Sequence, residues 1–107
     1  MGASKSNFFT DEQNKLASLF KAMSHPARIA IIQFLLQVDS CICGDIVNEL
    51  PLAQPTISQH LKELKNANII KGTIEGTAIC YCLNPETIAV IEAYFKTISV
   101  QLKNKCC

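Results

Sequence analysis

The sequence predicts a mainly helical α+β fold whose elements follow the order α-α-α-α-β-β-α. Three observations carry this prediction. Apolar residues recur at three- and four-residue steps along most of the chain, as they do on the buried face of a helix. The pattern changes to strand-like segments between residues 69 and 83, and helical spacing returns after Pro85. The length of 107 residues suits one domain over residues 1–107, with flexible ends at 1–9 and 104–107.

Composition and charge set limits on the function. Hydrophobic residues make up 49% of the chain, which favours a globular domain over a disordered one. Ten basic residues stand against nine acidic residues, so the chain is not a general polyanion binder, and any nucleic-acid surface must come from local arrangement. No apolar run approaches the roughly 20 residues that span a bilayer, and the start of the chain lacks the apolar stretch of a signal peptide. We therefore expect a cytoplasmic protein with no membrane partner.

The first two helices are predicted from caps and spacing. Thr10 followed by Gln13 resembles a capping box at the start of the first helix. Ser24 is the predicted N-cap of the second helix, which begins near Pro26, and the helical pattern breaks at Asp39. The apolar positions at helical spacing are Leu16, Leu19, Phe20 and Met23 in the first helix and Ile29, Ile32, Leu35 and Leu36 in the second.

A short third helix over residues 44–50 and a fourth helix after it are predicted next. Pro51 ends the third helix, and Pro55 takes the first position of the fourth, where its missing N–H costs nothing. Asn66 and Asn68 are expected to close the fourth helix, because asparagine tolerates the left-handed conformation at a helix end. The buried stripe of the fourth helix is predicted to be Ile57, Leu61 and Leu64.

Two strands and a final helix complete the predicted fold. Residues 69–73 and 77–83 are expected to pair as a hairpin around Glu75 and Gly76. Asn84 is the expected N-cap of the last helix, because a proline and an acidic residue follow it in the first turn. The apolar positions of this helix are Ile88, Ile91, Phe95, Ile98 and Leu102.

Residues 44–66 have the make-up of a helix-turn-helix, whose second helix enters the DNA major groove. The hairpin that follows adds a wing, so the predicted fold is a winged helix-turn-helix. At about 100° per residue, polar side chains lie opposite or beside the apolar stripe, where they suit base edges and phosphates. The alternative for this face is a solvated polar surface, and the alternative for His60 is a partly buried packing position in place of a phosphate or network role. The candidate DNA-binding residues are Gln54, Thr56, Ser58, Gln59, His60, Lys62, Lys65, Lys71, Thr73 and Thr77.

Six cysteines form three close pairs, Cys41/Cys43, Cys80/Cys82 and Cys106/Cys107. Without an export signal they are expected to stay reduced, which favours metal binding or redox chemistry over a disulfide scaffold. Residues i and i+2 point about 200° apart on a helix but share a face on an extended segment. The first pair therefore chelates one ion only where the chain is extended, and we predict that it lies just ahead of the third helix.

Thiolates select thiophilic ions over hard cations such as Mg²⁺, and trivalent arsenic prefers three sulfur ligands. Cys41 and Cys43 are the candidates for two of these ligands. The terminal pair, Cys106 and Cys107, is the candidate source of the third, from either subunit of a dimer. The alternatives are a packing role for the first pair and an unimportant chain end for the terminal pair.

Cys80 and Cys82 rank below the other two pairs as ligands. They share one face of the last predicted strand, and Ile79, Tyr81 and Leu83 occupy the other face. If the apolar face lies on the core, the two thiols point outward. Packing of the wing against a neighbour is the alternative explanation for their position.

Three segments resemble one known family. The segment AMSHPARIAIIQFL resembles the second-helix signature of the arsenic-repressor (ArsR/SmtB) family of winged-helix repressors. The segment CICGDIVNELPLAQPTISQHLKELKNANII is similar to that family's metal-site segment and recognition helix, and GTIEGTAICYCLNP to its wing. The resemblance covers about residues 10–100 and is specific from Asp45 to Leu64. It implies a homodimer in which the first and last helices pack together, and operator DNA binding that is abolished when a ligand binds to cysteines.

The sequence departs from this family's pattern in two places. Arsenic-sensing members often carry a Cys-x-Cys-Asp string, whereas here Gly44 separates Cys43 from Asp45 and displaces the thiols by one residue. Zinc-sensing members use Asp, His and Glu on the last helix, and residues 85–107 contain no His and no Asp. The resemblance therefore implies arsenite or another thiophilic ion as inducer, with no obligatory cofactor, rather than zinc at that site.

The leading prediction is a dimeric transcriptional repressor that leaves double-stranded operator DNA when a thiophilic ion binds. The alternative is a winged-helix repressor whose paired cysteines form a redox or persulfide switch. A thiol enzyme is not supported, because the sequence has no Cys-x-x-Cys beside a βαβ pattern and no suitable base near a cysteine. A homodimer is also expected from the apolar side chains at both ends of the chain, which exceed what one small core can hold.

Overall fold

The computed structural model describes residues 8–38, 42–43, 50–76 and 78–105. The third helix predicted over residues 44–50 falls almost wholly outside this range, and the fold class, a mainly helical winged helix-turn-helix, is confirmed. The described elements are α1 (Asp11–Met23), α2 (Pro26–Gln37), β1 (Ile42–Cys43), α3 (Gln54–Asn66), β2 (Ile70–Glu75), β3 (Ala78–Leu83) and α4 (Pro85–Lys103).

Local hydrogen bonds set the ends of the first two helices. The predicted capping box is confirmed, since the Thr10 N–H donates to Gln13 Oε1 at 2.9 Å and the Gln13 N–H donates to Thr10 Oγ1 at 3.0 Å. The prediction of Ser24 as N-cap of α2 is wrong. His25 holds this position, and its Nδ1 accepts the Ala27 N–H at 3.0 Å. The reason is that proline favours the first helical position, which leaves the residue before it as the cap.

The core lies where α1, α2 and α3 meet the base of the sheet. The predicted stripe of α3 is confirmed, because Ile57, Leu61 and Leu64 are all buried. Ile69 and Ile70 continue the core from the end of α3 into β2. Asn68 adopts a φ of 62°, so the predicted left-handed residue at the end of α3 is also confirmed.

The sheet has three antiparallel strands in the order β1-β3-β2. β2 and β3 form the predicted hairpin, and Gly76 at its turn has a φ of 64°, which glycine adopts without steric cost. β1 was not predicted, because two residues are too few to show a period. It places Ile42 opposite Tyr81 and Cys43 opposite Cys80, so that β3 is the central strand.

The last helix is capped as predicted and packs loosely. The Glu86 N–H donates to Asn84 Oδ1 at 3.1 Å. None of the 19 residues of α4 is buried. Across the described segments, the helices are too short or too polar to cross a bilayer.

Candidate nucleic-acid interface and cysteine pairs

The polar face of α3 is held outward by the burial of its apolar face. Ile57, Leu61 and Leu64 anchor the helix in the core, which leaves the side chains between them in solvent. No acidic residue occupies the first turn of α3, whose positive dipole end therefore suits a phosphate. The predicted site residues exposed on this helix are Gln54, Thr56, Ser58, Gln59, Lys62 and Lys65.

Gln59 is oriented by a neighbour one helical turn away. Its Nε2 donates to the Glu63 carboxylate at 3.0 Å. This contact leaves the amide on the exposed face while limiting its rotation, and a fixed amide suits bidentate reading of adenine. Sequence analysis did not single out Glu63, although the i, i+4 spacing is a usable signal for such a pair.

His60 is placed differently from the rest of the predicted interface. It is 8% exposed, and its Nδ1 accepts a hydrogen bond from Arg28 Nε at 3.0 Å. The Arg28 guanidinium also donates to the Ala22 carbonyl at 3.0 Å, so one side chain joins α1, α2 and α3. The His25 ring lies 4.4 Å from the His60 ring, centroid to centroid.

Burial lowers the pKa of His60 below its ordinary value of 6.5, and the charges of His25 and Arg28 lower it further. The neutral ring can accept the Arg28 N–H, whereas a protonated ring would turn a donor toward it. The geometry therefore gives His60 a network role between helices. Arg28 was missed by sequence analysis, because nothing in local spacing relates residues that are 32 positions apart.

The wing presents polar side chains beside the recognition helix. Lys71 and Thr73 are both exposed on β2, whereas Thr77 lies outside the described residues. A β-carbon at Gly72 would meet Lys65 Cε and Nζ at 3.3 Å. The side chain of Lys65 thus crosses β2 closely at Gly72, which brings the end of α3 and the wing into one surface.

The structure places three of the six cysteines. Cys43 lies on the extended strand β1, so the predicted extended conformation is confirmed there. Tyr81 and Leu83 pack against the core, as the prediction for the outward-pointing thiols required, and Cys80 on the other face of β3 is nevertheless fully buried. Cys82 is half-buried, and it and Cys80 are both disulfide-bonded, so the prediction that the cysteines stay reduced is wrong for this pair. The remaining predicted ligands, Cys41, Cys106 and Cys107, lie outside the described residues.

His, Cys, Asp and Glu are the side chains by which the described residues could hold a metal ion. In the parts of the chain that the structure describes, no group of three or more His, Cys, Asp or Glu side chains is arranged to hold an ion. The His25–His60 pair does not change this, since both Nδ1 atoms are engaged in hydrogen bonds.

A recognition helix with an exposed polar face, anchored in a core and followed by a wing, defines a winged helix-turn-helix DNA-binding protein. Solved structures support this fold. An ArsR-like transcriptional regulator from Rhodococcus sp. RHA1 superposes with a TM-score of 0.74 at 20% identity, over 89% of each chain. The homodimeric winged helix-turn-helix DNA-binding domain Mb0332 from Mycobacterium bovis gives a TM-score of 0.65 at 22% identity, over 83% of this chain and 82% of that one.

Sequence comparison assigns the family. Residues 25–71 match the model of the arsR family of bacterial regulatory proteins. The chain is 44% identical to an uncharacterised HTH-type transcriptional regulator of Methanocaldococcus jannaschii over 68 residues, which are 63% of this chain and 75% of the relative. It is 27% identical to the arsenical resistance operon repressor of Staphylococcus xylosus over 93 residues, 87% of this chain and 88% of the relative.

The protein belongs to the arsR family, as its three resembling segments predicted. It is a DNA-binding transcriptional regulator and not an enzyme.

Proposed function

We propose that this chain is a dimeric repressor in the cytoplasm, which releases its operator when arsenite or another thiophilic ion binds cysteine thiolates. The observation that carries the proposal is the exposed polar face of α3, fixed on the core beside a wing. The similarity to the arsenical resistance operon repressor of Staphylococcus xylosus supports the choice of ligand class.

The DNA contacts divide into base reading and phosphate binding. Ser58 and Gln59 are exposed on α3, and a helix in the major groove meets base edges with such side chains. Lys62 and Lys65 follow them along the helix and suit phosphates, which fix the register of the protein on DNA. The proposed phosphate contacts are Gln54, Thr56, Lys62, Lys65, Lys71, Thr73 and Thr77, with His60 supporting the helix from within.

The dimer is proposed to form through α1 and α4. The rings of Phe20, Tyr94 and Phe95 make one cluster, with centroids 5.7 to 5.8 Å apart. Phe95 is nevertheless 53% exposed, and apolar side chains continue along the helix at Ile98 and Leu102. A contiguous apolar surface of this kind is typical of an interface between subunits.

The proposed inducer site comprises Cys41 and Cys43, with Cys106 and Cys107 as the candidates for a third thiolate. Cys43 lies on β1, which precedes the helix-turn-helix along the chain and pairs with the wing. An ion bound there is in a position to shift both elements relative to DNA. A redox or persulfide switch on paired cysteines is the second candidate, favoured by the disulfide bonding of Cys80 and Cys82.

Binding of a labelled operator fragment tests the proposal. Arsenite, antimonite, cadmium, zinc and a hydroperoxide are added in turn to the reduced protein–DNA complex. Release by the thiophilic ions and not by zinc supports the proposed function, and release by the hydroperoxide alone supports the second candidate. Cys41→Ser and Cys43→Ser should each bind the operator fragment and should not release it when arsenite is added, because serine is not ionised at neutral pH and cannot replace a thiolate. Operator binding that no addition changes would refute both the ion-released repressor and the redox switch.

A further inference from the structure

One acidic side chain lies on the helix that is proposed to read DNA, where a negative charge works against phosphate binding. Glu63 follows Lys62 on α3 and comes one helical turn after Gln59. A carboxylate brought toward DNA is repelled by the phosphates, and this repulsion weakens binding to every sequence. The hydrogen bond that Glu63 Oε2 accepts from Gln59 Nε2 at 3.0 Å gives the acidic group a task that could offset this loss.

Glu63 is more confined than the glutamine that it contacts. It is half-buried, and its side chain lines a cleft that Lys21 and Arg28 also line. Partial burial leaves a side chain fewer conformations than full exposure does, and the positive charges nearby attract the carboxylate. Gln59 is exposed, so the direction of its amide depends on this neighbour.

The contact also limits the hydrogen-bonding groups that Gln59 can offer to a base. A glutamine amide has two N–H donors and one carbonyl acceptor, whereas an ionised carboxylate only accepts. The nitrogen must therefore face Glu63, and the amide cannot turn over without losing the contact. One donor is occupied, so one donor and one acceptor remain for a base.

This remaining pair of groups matches adenine and not guanine. In the major groove adenine presents an acceptor, N7, beside a donor, the N6 amino group, whereas guanine presents two acceptors, N7 and O6. A free glutamine amide can direct both of its N–H groups at guanine. The amide of Gln59 can do so only by leaving Glu63.

We propose that Glu63 is a specificity-determining residue that restricts Gln59 to adenine and excludes guanine, while its charge weakens binding to DNA of any sequence. The inference rests on the proposed function, because it requires Gln59 to read a base. Glu63 itself is a positioning residue, since it acts on the base through the glutamine.

Two substitutions separate the acceptor of Glu63 from its charge. Glu63→Met removes both and keeps a long side chain that suits a helix, whereas Glu63→Gln removes the charge and keeps an oxygen that can accept the same N–H. Selection from randomised duplexes finds the operator position at which Gln59→Ala relaxes the preference. Fluorescence anisotropy then measures the affinity of the full chain for two duplexes that carry adenine or guanine there. Each ratio compares two duplexes with one protein sample, so a partly folded variant does not distort it.

The wild type should prefer adenine over guanine by about 5- to 150-fold, which is the range for one bidentate contact. In Glu63→Met this ratio should fall by about fivefold or more, because the second donor becomes free for guanine. Glu63→Gln should keep most of the ratio. Both variants should bind a duplex of unrelated sequence more tightly than the wild type, because a negative charge is lost. In a Gln59→Ala background, Glu63→Met should leave the ratio unchanged, since its effect passes through the glutamine.

A wild-type ratio in Glu63→Met, or the same change in ratio with and without Gln59, would overturn the inference and leave base reading by Gln59 standing. Weaker binding of Glu63→Met to both duplexes at an unchanged ratio would show a purely structural role and would also overturn it. A Gln59→Ala protein with the wild-type preference at every position would refute the proposed base contact together with the inference. A wild-type chain that selects no duplex would refute the proposed operator binding.

Discussion

At the scale of single residues, Arg28 and His60 decide how the recognition helix is held. Arg28 joins the end of α1 to His60 on α3 through two hydrogen bonds of 3.0 Å. The exposed residues of α3 have separate tasks in the proposed function. Gln59, whose amide donates to Glu63, is proposed to read base edges, and Lys62 is proposed to bind phosphates.

The stability of the protein should depend on the protonation of His60. Its pKa in the folded protein is lowered below 6.5, so the unfolded chain binds the proton more readily. The free energy of unfolding is therefore expected to fall as the pH drops through 6.5 toward the lowered value, and to recover above 6.5. Urea unfolding at several pH values across this range measures the free energy of unfolding. His60→Gln still offers an oxygen to Arg28 but does not titrate, so its free energy of unfolding should change less with pH. An equal change with pH in both proteins would assign the effect to another group.

Gln59→Ala and Lys62→Ala should weaken operator binding in different ways. Loss of a base contact should cost about 1–3 kcal/mol on the cognate site and relax the sequence preference. Loss of a phosphate contact should weaken all sequences alike and reduce the slope of log K against log salt by about 1. Fluorescence anisotropy on cognate and scrambled duplexes at several salt concentrations separates the two. Equal, sequence-independent losses would contradict the proposed reading of α3.

At the scale of elements, the link from α3 to β2 sets the angle between recognition helix and wing. Asn68 makes the turn with a φ of 62°, and Ile69 and Ile70 are buried directly after it. Gly72 then lets Lys65 lie close across the strand. A change at this link is expected to affect stability and wing position together.

Asn68→Ala and Asn68→Gly form a matched pair at this turn. The left-handed conformation costs alanine roughly 1–2 kcal/mol, whereas glycine adopts it freely. Asn68→Ala should therefore lower the free energy of unfolding by about 1 kcal/mol, and Asn68→Gly should change it by less than about 0.5 kcal/mol. Thermal or urea unfolding of both variants is the measurement. A loss of the same size in both would mean that the asparagine side chain, and not the backbone, matters.

At the scale of the whole molecule, the described chain buries one small core and leaves α4 without a buried residue. The aromatic cluster between α1 and α4 is only partly covered by the chain itself. A second copy is the proposed cover, and a two-fold dimer would place two recognition helices on successive turns of DNA.

Phe95→Glu should therefore give a monomer that binds operator poorly. The side chain is 53% exposed, so a charge there reaches solvent in the isolated fold but is unfavourable at an apolar interface. Leu36→Glu is the matched control, because Leu36 is 68% exposed on α2, away from the proposed interface. Sedimentation at micromolar concentration should show a dimer for the wild type and the control. A monomeric wild type would refute the proposed assembly.

The sequence alone determined what depends on neighbours along the chain. The capping box at Thr10, the left-handed Asn68, the buried stripe of α3 and the hairpin turn at Gly76 all follow from spacing within a few residues, where backbone geometry is local. The family could be recognised for the same reason, since its signatures are contiguous segments. Ser24 was assigned wrongly because two adjacent residues can both cap, and only the position of Pro26 decides between them.

Only the tertiary structure decided what depends on distant pairing. Arg28 and His60 meet across 32 positions, and β1 reaches β3 from 37 residues away, at the pair Cys43 and Cys80. A strand of two residues has no period, so β1 could not be predicted from local pattern. The burial of Cys80 could not be predicted either, because Tyr81 and Leu83, which pack against the core, lie on the other face of β3.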